Sequence, residues 1–142
     1  LLISGDQVLP RISSNISVYA MEPDADPMAD WLASIDKLEQ AVPDDVLVLP
    51  AHNECFRGLH ERLARLREGQ EQSLERLRRA LAEPLRAVDT FSALFKRSIT
   101  ETDPGLLGLA TGESIACLNY LLHRGEIARE LHDDGAWWYC MR

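Results

Sequence analysis

The sequence predicts an α/β stub followed by a mostly α domain that ends in a β-hairpin. Three observations carry this reading. Two apolar runs, Leu1–Ser4 and Val46–Leu49, do not alternate, and proline follows each of them, the pattern of short strands buried on both faces. From Gly58 onward the apolar residues take up helical spacing over long stretches. Near the C-terminus, His132-Asp133-Asp134-Gly135 separates two β-prone runs, and Asp-Gly supplies the positive φ angles of a tight turn. The division falls between residues 57 and 58, giving an incomplete α/β segment over 1–57 and a helical domain over 58–142.

In the first part, Gly5 breaks the opening strand and Asp6 follows at its carboxyl end, where α/β folds place their working groups. Pro10 then turns the chain away as a loop. Ile16–Tyr19 has the composition of a further short strand, and Glu22–Asp26 of an acidic turn. Asp26-Pro27 is a helix start, with Asp accepting from orphan N–H groups and Pro at the first helical position. Met28, Trp31, Leu32, Ile35 and Leu38 then recur at three and four, one apolar face on a helix that Pro43 ends. The second strand, Val46–Leu49, is followed by Pro50 and then His52.

In the second part, Leu59, Leu63, Leu66, Leu74, Leu77 and Leu81 form a narrow seam on a helix from Gly58 to Ala82, interrupted at Gln70. The charges between them are mixed in sign. Its arginines are suited to a phosphate or, more simply, to a solvated helix face with intrahelical pairs. A short helix over 87–96 presents Val88, Phe91, Leu94 and Phe95. Asp103-Pro104 opens another, carrying Leu107, Ala110, Ile115, Leu118, Leu121 and Leu122 and stopping at Gly125. Strands Ile127–Leu131 and Ala136–Met141 close the chain. Three helices and a two-stranded wing make a winged helix. Alternation sends Trp137 and Tyr139 to one face of that wing and Trp138 to the other. Trp137 is expected to pack on the face of the preceding helix.

Composition limits the functional classes. The chain of 142 residues has 46% hydrophobic residues and a formal net charge of −8, which argues against broad nucleic-acid binding by phosphate neutralisation. The helix in the recognition position offers Arg124 as its cation and Asn119 as its base-reading amide, on a field of the wrong sign. No apolar run approaches the length that spans a bilayer, so no membrane partner is expected. Three widely spaced cysteines, Cys55, Cys117 and Cys140, make neither a disulfide framework nor a zinc knuckle, and a cytoplasmic setting is expected.

Asp6 taken alone has two readings, a turn Asp bonded to its own backbone or a metal-binding or catalytic carboxylate. The matching design of the second strand favours the latter. Two strands, each ending in a loop that carries a hard oxygen or an imidazole, suggest two walls of one metal site. The segments SGDQVLP, SSNISVY and DVLVLPAHNECFRGLHERL resemble the C-terminal part of a metallo-β-lactamase-fold hydrolase of the glyoxalase-II-like or RNase-like kind. The resemblance covers nearly the whole chain. It implies the end of an αββα domain followed by a C-terminal winged helix. It further implies that Asp6 bridges two divalent metals (zinc, or iron or manganese) and that His52 completes the shell of one.

The chain departs from the family pattern in two ways. The H-x-H-x-D-H motif and a further His before the SGD strand are absent, since His52, His60, His123 and His132 all follow Asp6. The loop reads Pro50-Ala51-His52-Asn53 where P-G-H-G is usual, so a side chain stands where glycine is free to take a positive φ.

The expectation is therefore a piece of a larger enzyme that begins inside the catalytic domain, with its metal site incomplete and empty in this chain. The parent would hydrolyse an ester, thioester, lactam or phosphodiester, and the isolated chain would be inactive. Arg11, Ser13, Ser14 and Asn15 are candidates for the substrate rim. Expected partners are the missing N-terminal part of the catalytic domain and further copies of the chain, through its unpaired strands. The competing class is a non-enzymatic winged-helix interaction module on an α/β stub.

Overall fold

A computed structural model describes residues 1–100 and 102–142. In chain order the elements are β1 (Leu2–Gly5), α1 (Pro27–Ala41), β2 (Val48–Pro50), α2 (Leu59–Ala80), β3 (Leu85–Arg86), α3 (Phe91–Leu94), α4 (Pro104–His123), β4 (Ile127–Leu131) and β5 (Trp137–Met141), with a single 3₁₀ turn over Ala87–Thr90 before α3. They form two compact units, one of residues 1–15 and 29–71, the other of residues 16–28 and 72–142.

In the first unit β1 and β2 pair in parallel, with Leu2 opposite Val48, Ile3 opposite Leu49 and Gly5 opposite Pro50. The strands are shifted toward their prolines relative to the expected runs. Pro50 is tolerated as the last strand residue because the Ala51 N–H, rather than its own, bonds the Gly5 carbonyl at 2.9 Å. Burial is one-sided. Val48 is buried, but Leu1 and Ile3 are each 78% exposed, which corrects the expectation of a strand covered on both faces. The sheet has only these two strands, so one face of β1 has no covering layer among the described residues. The core of this unit is made by Val8 and Leu9 after β1, by Trp31, Leu32 and Ile35 of α1, and by Leu59, Leu63 and Leu66 of α2. These α1 and α2 residues occupy the positions that the helical spacing selected.

In the second unit, α4 is the central helix and buries Ala110, Ala116, Cys117, Leu118 and Leu121. It opens with Asp103, whose carboxylate accepts from the Leu106 N–H at 3.0 Å, and Pro104 occupies the first turn. With Glu113 as its one Asp, Glu, Lys or Arg residue, α4 is long and apolar enough to cross a membrane by length and composition. The sequence expectation missed this because Ser, Thr and Gly interrupt every continuous apolar run.

The expected strand over Ile16–Tyr19 does not form. Ile16 and Val18 are buried, but the Val18 N–H bonds the Gly112 carbonyl of α4 at 3.0 Å, so its partner is a helix. Gly112 permits this approach. A Cβ there would lie 2.9 Å from the Ser17 Cβ and 3.1 Å from the Val18 carbonyl oxygen.

The antiparallel sheet has the order β3-β5-β4, one strand more than the expected hairpin. β4 and β5 are in register from Ile127–Met141 to Leu131–Trp137, and Gly135 takes φ +77° in the turn between them. Trp137 and Tyr139 share a face, yet Tyr139 is 4% exposed and Trp137 is 43% exposed. Tyr139 lies mid-sheet, opposite Leu85 of β3 and Arg129 of β4, whereas Trp137 sits at the turn end. The Trp137 ring lies 4.6 Å from the Arg129 guanidinium carbon and lines a pocket together with Ile115 of α4. Trp138, on the other face, stacks on His132 at 5.0 Å.

Candidate metal centre

Parallel pairing decides the geometry of the candidate site. Because β1 and β2 run the same way, with one shift of register between Ile3 and Gly5, the residues that follow them emerge at one end of the sheet. Asp6 is the first residue after β1 and His52 the second after β2. The His52 Nε2 lies 3.2 Å from the Asp6 Oδ1, and both side chains are open to solvent.

Each loop is locally fixed. The His52 loop is closed at its base by a bridge between Val48 and Phe56, whose N–H groups bond each other's carbonyls at 2.9 and 3.1 Å. At its tip Asn53 takes φ +68°, the left-handed region that asparagine enters at lower cost than most residues. This accounts for one glycine replacement in the loop, while Ala51 needs no positive φ.

The Asp6 loop folds back through Ser14, whose hydroxyl donates to the carbonyl of Asp6 at 2.5 Å and to that of Gln7 at 3.2 Å. From α2, Arg62 donates to the carbonyls of Leu9 at 2.6 Å and Ile12 at 2.8 Å. Between the two loops, the Arg11 guanidinium meets the Glu54 carboxylate at 2.7 Å. The hydrogen bond from Arg11 holds the Glu54 carboxyl below its ordinary pKa.

Of the rim candidates, Arg11 is thus engaged with Glu54 and Ser14 with the loop backbone, while Ser13 and Asn15 are exposed. Sequence reasoning missed Glu54 and Arg62. Glu54 sits two residues after His52, so proximity alone was its signal. Arg62 belongs to a run of mixed charges, and nothing in that run distinguishes it.

Chemically, one carboxylate and one imidazole at 3.2 Å suit a shared divalent cation. Two donors about 2.1 Å from a tetrahedral ion stand about 3.4 Å apart. Among the described residues, no group of three or more His, Cys, Asp or Glu side chains is placed to hold an ion. The site is half of a shell.

A short parallel sheet gathers a carboxylate and an imidazole at its carboxyl end in a mixed α/β chain, and the comparisons show which proteins share that fold. Residues 74–142 match the family described as metallo-beta-lactamase-like, C-terminal domain. A beta-lactamase domain protein from Burkholderia ambifaria, known from its crystal structure, is similar at 42% sequence identity with a TM-score of 0.92, over 99% of this chain and 41% of that one. A metallo-beta-lactamase family protein from Thermus thermophilus is similar at 24% identity with a TM-score of 0.81, again over 99% and 41%. That second likeness is one of fold. The chain spans about two-fifths of the length of these solved proteins. No curated protein matches it. Similarity to metallo-beta-lactamase-domain proteins therefore extends over nearly the whole chain, and its last 69 residues match their C-terminal domain.

Proposed function

We propose that the chain is the C-terminal part of a metal-dependent hydrolase of the metallo-β-lactamase superfamily. It supplies Asp6 as the carboxylate shared by two divalent metals and His52 as a neutral imidazole on one of them. The observation that carries this is the 3.2 Å approach of Asp6 and His52 at the end of a parallel strand pair. When bound, such a pair of ions lowers the pKa of a bound water into the neutral range and polarises the scissile ester, thioester, lactam or phosphodiester. The chain's own residues hold Asp6 and His52 in register and leave both open to solvent. Exposed Ser13 and Asn15 would stand at the substrate rim, with Arg11 beside them.

Two donors fall short of the three protein ligands of an ordinary catalytic zinc. The 142-residue chain is therefore expected to have no hydrolase activity, and turnover by purified chain that a chelator abolishes would contradict this. The partner that completes the site would be the N-terminal part of the catalytic domain, docking on the exposed face of β1. Residues 58–142, of which 72–142 lie in the second unit, would carry the winged-helix domain, without a nucleic-acid or membrane partner, in a cytoplasmic protein. The test is made in a longer protein that carries H-x-H-x-D-H upstream. There Asp6→Ala should remove both metals and activity, and His52→Ala should remove mainly one metal.

A second reading, an interaction module, is favoured by an apolar cavity of about 490 Å³ in the second unit, lined by Val18, Tyr19, Leu107, Gly112 and Ile115 among others. A longer protein without the upstream motif would support it.

A further inference from the structure

Most arginines of α2 pair with carboxylates; the exposed Arg76 instead donates to the Ala93 carbonyl at 2.8 Å and to the Ser73 hydroxyl, and Arg62 is the half-buried exception. Arg65 pairs with Glu61, Arg67 with Asp36, Arg78 with Glu126 and Arg79 with Glu75. Arg62 is half-buried, and both hydrogen bonds described for its guanidinium end on main-chain carbonyls, those of Leu9 and Ile12. Burial depresses its pKa, a sign that holding the cation there is costly. Pro10 lies between those carbonyls and has no N–H to offer, so the loop has fewer donors of its own to fold upon itself. A planar fork from a rigid helix supplies two.

The residue between the anchored carbonyls and adjacent to Ile12 is Arg11, which reaches across to Glu54 in the His52 loop. Fixing Leu9 and Ile12 therefore fixes the stem from which Arg11 extends. A contact chain thus runs from Arg62 through residues 9–12 and the Arg11–Glu54 pair to the loop of His52. On the other side, the buried Val8 and Leu9 and the Ser14 hydroxyl tie the same segment to Asp6.

We infer that Arg62 is a positioning residue for the Asp6–His52 pair, acting through the backbone of residues 9–12 and the Arg11–Glu54 bridge. The inference rests on the proposed reading of that pair as metal ligands. Arg62 touches neither ligand side chain, so its effect is on their separation. Outer residues that orient ligands typically contribute 10- to 100-fold to metal affinity.

The test uses the 142-residue chain with Arg62→Met, Arg62→Lys and Arg11→Gln. Two readouts are taken: proton–proton contacts between the Asp6 and His52 loops by NMR without metal, and zinc-ion titration followed on the His52 ring resonances. Arg62→Met is expected to lose the inter-loop contacts and to weaken the His52 response to zinc about tenfold. Arg62→Lys should be intermediate, because an ammonium does not reproduce the planar fork that serves two carbonyls. Arg11→Gln removes an exposed side chain and leaves the core untouched, so it reports the bridge even if Arg62→Met fails to fold. Variants that keep the contacts, with zinc affinity within twofold of the parent chain, would overturn the positioning role. If the unsubstituted two-donor chain shows no His52 response to zinc, the loop contacts decide alone. Their loss in Arg62→Met and Arg62→Lys supports the hold of Arg62 on the two loops, their persistence overturns it, and the metal reading is tested separately in the longer protein.

Discussion

Asn53 carries a side chain at φ +68° and still closes the turn that presents His52. A β-branched residue at such an angle is an outlier, and left-handed backbone costs an ordinary residue about 1–2 kcal/mol. Asn53→Val should therefore lower stability by about that amount in urea unfolding, while Asn53→Gly should be neutral or slightly favourable. The aromatic residues of β5 give a second prediction at this scale. Tyr139 is buried mid-sheet, so Tyr139→Ala should cost about 3–5 kcal/mol, whereas truncating the half-open Trp137 should cost roughly 1 kcal/mol. Alternation correctly placed the two on one face. It could not say where along that face the core ends, because that depends on β3, two residues too short to leave a pattern. The closeness of Asp6 and His52 was legible because strand ends are where sheets deliver side chains. Arg62 was not, since a cation serving two distant carbonyls looks like any other helix charge.

At the scale of elements, those with local signals were read more securely than those without: β4 lies where expected, while the helix expected over 87–96 is a 3₁₀ turn followed by the four-residue α3. The leucine spacing of α2 and the Asp103-Pro104 start of α4 are local signals, and both helices lie within about two residues of expectation. The segment Ile16–Tyr19 failed because its edge is paired by a helix carbonyl, a nonlocal fact. That contact makes its own prediction. Gly112→Ala forces a Cβ to 2.9 Å from the Ser17 Cβ, and overpacking of this kind typically costs 1–3 kcal/mol. Thermal unfolding with Gly108→Ala as the control, where the space is open, would isolate it.

The helix α2 also holds Glu126, the residue just before β4. Arg78 grips Glu126 at 2.6 and 3.1 Å, and this hydrogen bonding holds the Glu126 carboxyl below its ordinary value near 4.5. A depressed carboxyl pKa gives stability that is present above the unfolded value and lost as pH falls through the folded one. Stability should decline on acidification below about pH 4.5, and Glu126→Gln should flatten part of that decline.

For the whole molecule, the decisive facts are the length of its relatives and the open face of β1. The chain spans two-fifths of the solved proteins it matches, and Leu1 and Ile3 lie exposed on a two-stranded sheet. An apolar strand with a free edge is a template for pairing. The isolated chain is expected to self-associate through β1, and Ile3→Lys should reduce the associated mass seen by light scattering. A monomeric parent chain at high concentration would contradict this. The resemblance in sequence pointed to a metal site, and the parallel pairing of β1 and β2 brings Asp6 and His52 to 3.2 Å of each other. Among the described residues no third His, Cys, Asp or Glu side chain joins the pair, so this chain shows two donors only. The most direct measurement is therefore the metal content of a longer protein carrying the upstream His-rich motif, with and without substitutions at the pair. The account predicts two divalent ions per chain, none after Asp6→Ala and close to one after His52→Ala. Two ions retained with full activity in the Asp6→Ala protein would contradict it.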